Sequence, residues 1–189
     1  DSALGGDDVD MALTQYFADK FALEMNADNQ QILLQAAKEI KQQLSQNEAV
    51  AQTINIADVQ YDITMSLAEF EDVITGIIAR TIKITEQVIA DAQLHAADIE
   101  AIVLVGGSTR IDLVRKQLAE KFAVTIYDDV DPDKVVAMGA ALQAENLTYK
   151  GKNLLIDVNP LSLGIELMGG LAEIIIPRNT PIPAIVKHE

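Results

Sequence analysis

The stretch Ala101–Lys121, AIVLVGGSTRIDLVRKQLAEK, decides the fold of this 189-residue chain. It opens with five apolar, largely β-branched residues, a pattern typical of a buried strand. Ile111, Val114 and Leu118 then recur at helical spacing, and the pair Gly106-Gly107 separates the two patterns. Glycine can adopt positive φ and lets a ligand approach the backbone, and the free N–H groups that open a helix favour electron-rich ligands. The order of strand, glycine turn and helix therefore predicts an α/β fold with a candidate nucleotide site at the turn.

The spacing alone leaves two interpretations of this turn open. Many α/β proteins join a strand to a helix through two glycines without binding any ligand there. The segment is also not a phosphate loop of the Gly-x-x-x-x-Gly-Lys-Ser/Thr kind, and it lacks the third glycine of the dinucleotide fingerprint.

The composition excludes several classes of function. A hydrophobic content of 49% is sufficient for a sizeable core, whereas 29 acidic residues against 14 basic ones give a net charge of −15. Nucleic-acid binding needs a basic face, so we expect no nucleic-acid partner. Cysteine is absent, which excludes disulfides and thiolate metal sites. No apolar run is long enough to cross a bilayer, so we expect no membrane partner and a location in the cytoplasm or an organelle matrix.

The sequence pattern of the first half of the chain predicts two helices, a hairpin and a third helix. Apolar spacing predicts one helix after Gly5-Gly6-Asp7-Asp8, with the acidic pair capping it, and a second helix over 29–45. Lys41 and Ser45, four residues apart, then share one helix face. Alternation over 50–65 predicts a hairpin that turns at Ala57-Asp58.

The remainder combines a long helix with further strands. Ser66 and Glu69 form a capping box that starts a helix running to about Gln93, with a break expected near residues 80–84, where β-branched residues cluster. A strand follows at 124–127, and Asp131-Pro132 starts another helix, whose small residues at 139–141 suggest close packing. Two strands at 161–166 and 171–176 flank a glycine pair. Both ends of the chain are abrupt, and we expect it to belong to a longer protein.

Five strings of this sequence together resemble the seventy-kilodalton heat-shock chaperones of the DnaK type. The strings are LGGDDVD (4–10), IVLVGGSTRI (102–111), DPDKVVAMGAALQA (131–144), LLIDVNPLSLGIE (154–166) and RNTPIP (178–183). They occur in the family's order and cover essentially the whole chain. Within the family, SALGGDD (2–8) and IPRNT (176–180) resemble most the branch dedicated to iron–sulfur cluster assembly.

The resemblance implies a fold and a division into domains. Residues 1–82 would be the upper subdomain and residues 83–150 an incomplete lower subdomain of the second lobe of an actin-like ATPase domain. Residues 151–158 would be an interdomain linker, and residues 159–189 the first strands of a peptide-binding β-sandwich.

The resemblance also implies roles for individual residues. Eight residues would surround the adenosine half of ATP or ADP: Gly6, Lys41, Ser45, Gly106, Gly107, Ser108, Arg110 and Asp133. The linker would consist of Leu154, Leu155, Ile156, Asp157 and Val158, and it would dock on the ATPase domain when ATP binds. Ile165 and Met168 would line and arch over the groove for extended apolar peptides.

Two positions depart from the family pattern. Lys38 stands where the family has a glutamate that helps hold the ribose, and the nearest carboxylate is Glu39, one step round the helix. Gln42 stands where many members place a second arginine against adenine. We therefore expect weaker nucleotide binding than in a general-purpose relative.

The expected function is that of part of an ATP-dependent chaperone that couples ATP binding and hydrolysis to client binding and release. The implied partners are a client, such as an iron–sulfur scaffold protein, and a J-domain co-chaperone. The family's catalytic lysine, magnesium-binding acids and N-terminal phosphate turns would precede Asp1. The 189 residues alone are therefore not expected to hydrolyse ATP, and Mg²⁺ is expected only in the complete protein.

Several alternatives remain at this stage. One is a general-purpose DnaK-type folding chaperone, and others are an actin-fold kinase and a non-catalytic nucleotide-binding module. The acidic cluster Asp128, Asp129, Asp131 and Asp133 lacks the glycine and terminal glutamate of a calcium loop, so no metal site is expected.

Overall fold

The computed structural model describes residues 4–127, 131, 134–149 and 157–187. The chain divides into two compact units, Asp1–Val135 and Val136–Glu189.

The first unit begins with two helices, a hairpin and a long helix. In chain order the elements are α1 (Gly6–Phe21), α2 (Ala27–Leu44), β1 (Ala49–Ile56), β2 (Val59–Ser66) and α3 (Leu67–Asp91). A 3₁₀ turn (Ala96–Asp98) leads to β3 (Ala101–Val103), and a second 3₁₀ turn (Gly107–Arg110) leads to α4 (Asp112–Phe122) and β4 (Thr125–Tyr127). β3 and β4 pair in parallel with α4 between them, so the α/β character predicted from the sequence is confirmed.

Local signals in the sequence correctly predicted where α1 and α3 begin. The Asp8 carboxylate accepts a hydrogen bond from the Gly5 N–H at 2.7 Å, and thus caps α1. The predicted capping box is also present, because the Ser66 N–H donates to Glu69 Oε2 at 2.8 Å and the Glu69 N–H donates to Ser66 Oγ at 3.2 Å. Such reciprocal bonds satisfy N–H groups that the first turn of a helix leaves free.

The hairpin turns where the sequence predicted. Ile56 pairs with Val59, and the two turn residues, Ala57 and Asp58, have φ angles of 48° and 62°. Two consecutive left-handed residues match the twist of the flanking strands. The strands bury alternate side chains, and Tyr61 on β2 meets Phe21 of α1 edge to face at 5.3 Å.

The predicted break in α3 is wrong, because the helix is continuous over all 25 residues. Ile74, Ile78 and Ile82 are buried on one face, and this burial outweighs the small loss of helix propensity that β-branching causes. The Thr81 and Thr85 hydroxyls donate to carbonyls one turn earlier, at 3.2 and 3.1 Å. A second correction concerns the glycine turn, which leads first into a 3₁₀ turn, so that α4 begins only at Asp112.

The core of the first unit joins all of its α-helices to the hairpin. Its fully buried members include side chains from α1, α2, β2 and α3, namely Leu13, Phe17, Leu33, Ile40, Ile63 and Ile74. α1 and α2 are thereby held side by side, and α2 is fixed against the hairpin. This packing fixes the end of α2 at which Lys41 and Ser45 lie.

The second unit contains α5 (Val135–Tyr149), which starts at the last residue of the first unit, and four short strands. These are β5 (Asp157–Val158), β6 (Leu163–Glu166), β7 (Ala172–Ile176) and β8 (Pro181–Ile182). β6 pairs with β7 and β5 pairs with β8, both antiparallel. The predicted hairpin of residues 161–176 is thus confirmed, with Gly169 and Gly170 at positive φ in its turn.

Two features define the packing in the second unit. The buried Asn159 side chain donates to the Leu161 and Pro177 carbonyls at 2.7 and 3.0 Å and so fastens the ends of the hairpin. No residue described in α5 is buried, so the close packing expected of its small residues is not found in this chain.

Candidate functional site

A cleft of 540 Å³ lies between the C-terminal end of α2 and the turn that follows β3. One wall is formed by Lys41 and Ser45, as predicted from their spacing, together with the adjacent Gln42 and Gln46. The opposite wall is formed by the four residues Gly107, Ser108, Arg110 and Ile111. Two segments more than 60 positions apart in sequence therefore face one cavity.

Gly6, at the start of α1, lies beside one residue of each wall. A Cβ atom placed on Gly6 would lie 3.0 Å from Ser108 Oγ and 3.5 Å from Lys41 Nζ. The absence of a side chain thus permits this close approach. Gly106 has a φ of 93°, a conformation that favours glycine, and it directs the chain from β3 into the turn. The structure therefore brings both predicted glycine segments to the same cleft.

Lys41 is held in place by the first turns of α1. Its ammonium Nζ lies 2.6 Å from Asp10 Oδ1 in an ion pair and donates a hydrogen bond to the Gly6 carbonyl at 3.2 Å. The Asp10 side chain is 3% exposed and the Lys41 side chain 20%. Asp10 was not predicted from the sequence. The available signal was its position four residues after Gly6, which places both on one face of α1.

The hydroxyl groups of the cleft differ in their surroundings. Ser45 ends α2, and its Oγ donates to the Gln42 carbonyl at 2.6 Å, which leaves the oxygen lone pairs able to accept from a ligand. Thr109 does not line the cleft, but its hydroxyl donates to the Gly106 carbonyl at 2.6 Å and stabilises the glycine turn that leads into the opposite wall. The cleft thus offers cations, amides, hydroxyls and backbone groups.

The two departures from the family pattern differ in position. Gln42 lines the cleft, whereas Lys38 does not. Glu39, the nearest carboxylate, accepts hydrogen bonds from Gln35 at 2.7 Å and Gln52 at 2.6 Å, and it lines a different surface between α2 and β1. Glu39 therefore does not replace the missing glutamate at the cleft.

The remaining predicted residues lie elsewhere or outside the described residues. Asp133, Leu154, Leu155 and Ile156 belong to segments that the structure does not describe. Asp157 and Val158 form β5, opposite Ile182 and Pro181. Ile165 is exposed on β6, and Met168 is 98% exposed in the turn after it.

Metal coordination and membrane insertion are two further properties that the described residues bear on. In the parts of the chain that the structure covers, no group of three or more His, Asp or Glu side chains is arranged to hold a metal ion. Across the same residues, none of the helices combines the length and the apolar character needed to cross a bilayer.

Comparison with known proteins identifies the family. The family model described as "Hsp70 protein" matches residues 1–188. The chain belongs to the Hsp70 family. The resemblance found in the sequence is thereby confirmed, and the mixed helices and strands of this Hsp70 chain are consistent with part of an Hsp70 ATPase domain.

Individual relatives of this Hsp70 chain carry the name HscA. The Hsp70 chain is 44% identical to a "Chaperone protein HscA homolog" of Rickettsia prowazekii over 190 residues, which are 100% of this chain and 30% of that relative. It is 43% identical to the homolog of Vibrio atlanticus and 45% identical to "Chaperone protein HscA" of Cronobacter sakazakii; each match covers 100% of this chain and 31% of the relative. The Hsp70 chain thus spans about a third of the length of these relatives.

Proposed function

We propose that this chain supplies one side of the nucleotide site of an ATP-dependent Hsp70 chaperone of the HscA type. The observation that supports it best is that Lys41 and Ser108, which line one 540 Å³ cleft from opposite walls, both lie close to Gly6. In the complete protein the chain would form the second lobe of an actin-like ATPase domain, the linker and the first strands of the peptide-binding domain.

The chemistry of the cleft suits the adenosine half of ATP or ADP. Arg110 offers a planar guanidinium that can stack on an adenine face, while Lys41 and Ser45 offer polar groups for the sugar. The glycine backbone at 106–107 admits the ligand closely. Asp133 joins this set only by its place in the family motif.

Magnesium does not fit the described lining. Mg²⁺ prefers carboxylate and phosphate oxygens, and the described residues that line the cleft include no carboxylate. The chemistry of phosphoryl transfer would then come from other parts of the complete protein, in keeping with our expectation that residues 1–189 alone do not hydrolyse ATP.

Isothermal titration of the complete protein with ADP tests the proposal. Arg110→Met should weaken binding by roughly two- to thirtyfold, which corresponds to the loss of about 0.5–2 kcal/mol of cation–π energy. Arg115→Met is the matched control, because Arg115 lies on the following helix and does not line the cleft. Absence of ADP binding by the unaltered protein, or equal affinities in both variants, would contradict the proposal.

The proposed affinity is lower than that of a general-purpose relative. Gln42 stands in the cleft where an arginine would add a stacking partner, and Glu39 is held by two amides on another surface. We expect Gln42→Arg to tighten ADP binding, whereas Gln46→Arg, at the rim of the same wall, should change it less. An unaltered protein that binds ADP as tightly as DnaK would refute this prediction.

Coupling between nucleotide and client is proposed through residues 154–158. Burial of three large apolar side chains there would contribute about 1.5–3 kcal/mol each, enough to shift a two-state equilibrium strongly. Leu155→Asp in the complete chaperone should abolish ATP-stimulated peptide release. Val59→Asp also replaces an apolar side chain with a carboxylate, but at an exposed hairpin residue, and it should leave ATP-stimulated peptide release intact. Release unchanged in Leu155→Asp would contradict the linker role.

The proposed client and co-chaperone are those that the family resemblance of the sequence implies. An HscA-type chaperone would act on an iron–sulfur scaffold protein with a J-domain co-chaperone, and Ile165 and Met168 would contribute to the groove for its client segment. Ile165 and Met168 are both exposed and thus available for contact on this hairpin. Stimulation of ATPase activity by a scaffold protein but not by a generic unfolded protein would separate this role from that of a general DnaK-type chaperone.

A further inference from the structure

We infer that Asp10 is a positioning residue of the nucleotide site, which acts by fixing the Lys41 ammonium group at the rim of the cleft. The inference rests on the proposed function of this cleft. It is carried by the juxtaposition of a buried carboxylate, a partly exposed cation and Gly6, which lies beside a residue of each wall.

Asp10 cannot contact a ligand itself. Its side chain is 3% exposed, and it does not line the cleft. Lys41, by contrast, is 20% exposed and does line it. Any influence of Asp10 on a bound nucleotide must therefore pass through Lys41, whose Nζ lies 2.6 Å from the Asp10 carboxylate.

The contacts of Lys41 define the direction in which it can donate. An ammonium group has three N–H donors. The Gly6 carbonyl accepts from one of them at 3.2 Å, while the Asp10 carboxylate holds the charged group in an ion pair, and both partners belong to the first five residues of α1. The donors that Gly6 does not use are available to a ligand. Lysine is otherwise a flexible chain with a strongly hydrated head group, so fixing it before the ligand arrives lowers the entropic cost of binding.

The burial of Asp10 stabilises its ion pair with Lys41. A carboxylate removed from water is stabilised by a close cation, and it has no alternative hydration shell to which it can turn. Thr14, one turn further along α1, is fully buried, and its hydroxyl donates to the Asp10 main-chain carbonyl at 2.7 Å rather than to the carboxylate. Thr14 thus supports the same helix without contacting Lys41, and it provides a matched control.

The test compares ADP affinities of the complete protein by isothermal titration below the unfolding temperature of every variant. Asp10→Asn keeps the shape but removes the charge, and it should weaken ADP binding about tenfold, because a Lys41 side chain freed from its ion pair must then be immobilised by the ligand. Thr14→Val, which disturbs the same helix, should change the affinity less than about twofold.

A double-mutant cycle shows whether Asp10 acts through Lys41. In a Lys41→Met background, Asp10→Asn should have no further effect on ADP affinity. If Asp10→Asn alone fails to fold, the double variant still tests whether Asp10 affects ADP binding by any route other than Lys41, because it removes both charges and leaves none buried without a partner. Its affinity should then equal that of Lys41→Met.

Four outcomes would overturn the inference. ADP affinity unchanged in Asp10→Asn, a Thr14→Val loss as large as that of Asp10→Asn, or a further tenfold loss in the double variant would each remove the positioning role while the nucleotide site stands. Absence of ADP binding by the unaltered protein would instead remove the proposed function, and this inference with it.

Discussion

A methyl group at Gly6 should impair the cleft without unfolding the protein. Gly6→Ala places a Cβ 3.0 Å from Ser108 Oγ, whereas ordinary van der Waals contact begins at 3.4 Å. The turn at 107–110 must therefore move by about 0.4 Å, or the Ser108 hydroxyl must rotate. A nucleotide that contacts both walls would then lose about one hydrogen bond, or about 0.5–1.5 kcal/mol, equivalent to a roughly two- to tenfold loss of ADP affinity.

The stability of the protein should change much less. Alanine is favoured over glycine within a helix by up to about 1 kcal/mol, which offsets part of the cost of the contact with Ser108. In a Ser108→Ala background, which removes the obstructing Oγ atom, Gly6→Ala should become stabilising. Calorimetric unfolding and ADP titration of the complete protein measure the two effects separately.

Gly5→Ala provides the control for this prediction. Gly5 is extended, with a φ of −172°, and a Cβ there meets no atom within 4 Å. Its ADP affinity and stability should match those of the unaltered protein. If Gly6→Ala bound ADP as tightly as Gly5→Ala does, the argument that Gly6 sets the approach of the two walls would be refuted.

Three further predictions concern the scaffold and are measured on the complete protein. Gly76→Ala, at an exposed position inside α3 with no neighbour within 4 Å of its Cβ, should raise the calorimetric stability of its unfolding transition by about 1 kcal/mol; a loss would show that the site is crowded. The Ser66 N–H and then the Ser66 hydroxyl lower the pKa of Glu69 below its ordinary 4.5, so Ser66→Ala should raise that pKa in a carboxyl ¹³C titration. The stability that these two hydrogen bonds contribute is present above pH 4.5 and is lost as the pH falls through the lowered pKa of Glu69. A difference in unfolding free energy between variant and unaltered protein that grows in acid would therefore contradict this assignment. Leu33→Ala, at a fully buried site, should cost about 2–5 kcal/mol in denaturant unfolding, whereas the exposed Leu94→Ala should cost under about 1 kcal/mol; equal effects would refute the assigned core.

Much of the local structure could be predicted from the sequence. The caps at Asp8 and Ser66, the hairpin turn at Ala57-Asp58 and the face shared by Lys41 and Ser45 all depend on residues within four positions of one another. Capping, turn chemistry and periodicity act over this range, so the sequence contains the whole cause.

The error at residues 80–84 of α3 shows where local reasoning fails. β-Branched residues disfavour a helix by a few tenths of a kcal/mol each, and this weak preference suggested a break. Burial of Ile74, Ile78 and Ile82 in one row stabilises the helix by more than β-branching destabilises it, and this burial becomes visible only when the packing is known.

The sequence by itself therefore determined the elements, the two glycine turns and, through five strings in family order, membership of the Hsp70 family. Only the tertiary structure decided that Gly6 approaches Ser108, that Asp10 rather than another acid holds Lys41, and that Glu39 faces away from the cleft. The reason is physical. Gly6 and Ser108 are about a hundred positions apart, and Lys41 and Glu39 are held by Asp10 and Gln52 on other elements. These contacts therefore arise from how the helices pack around a shared core rather than from any local preference of the chain.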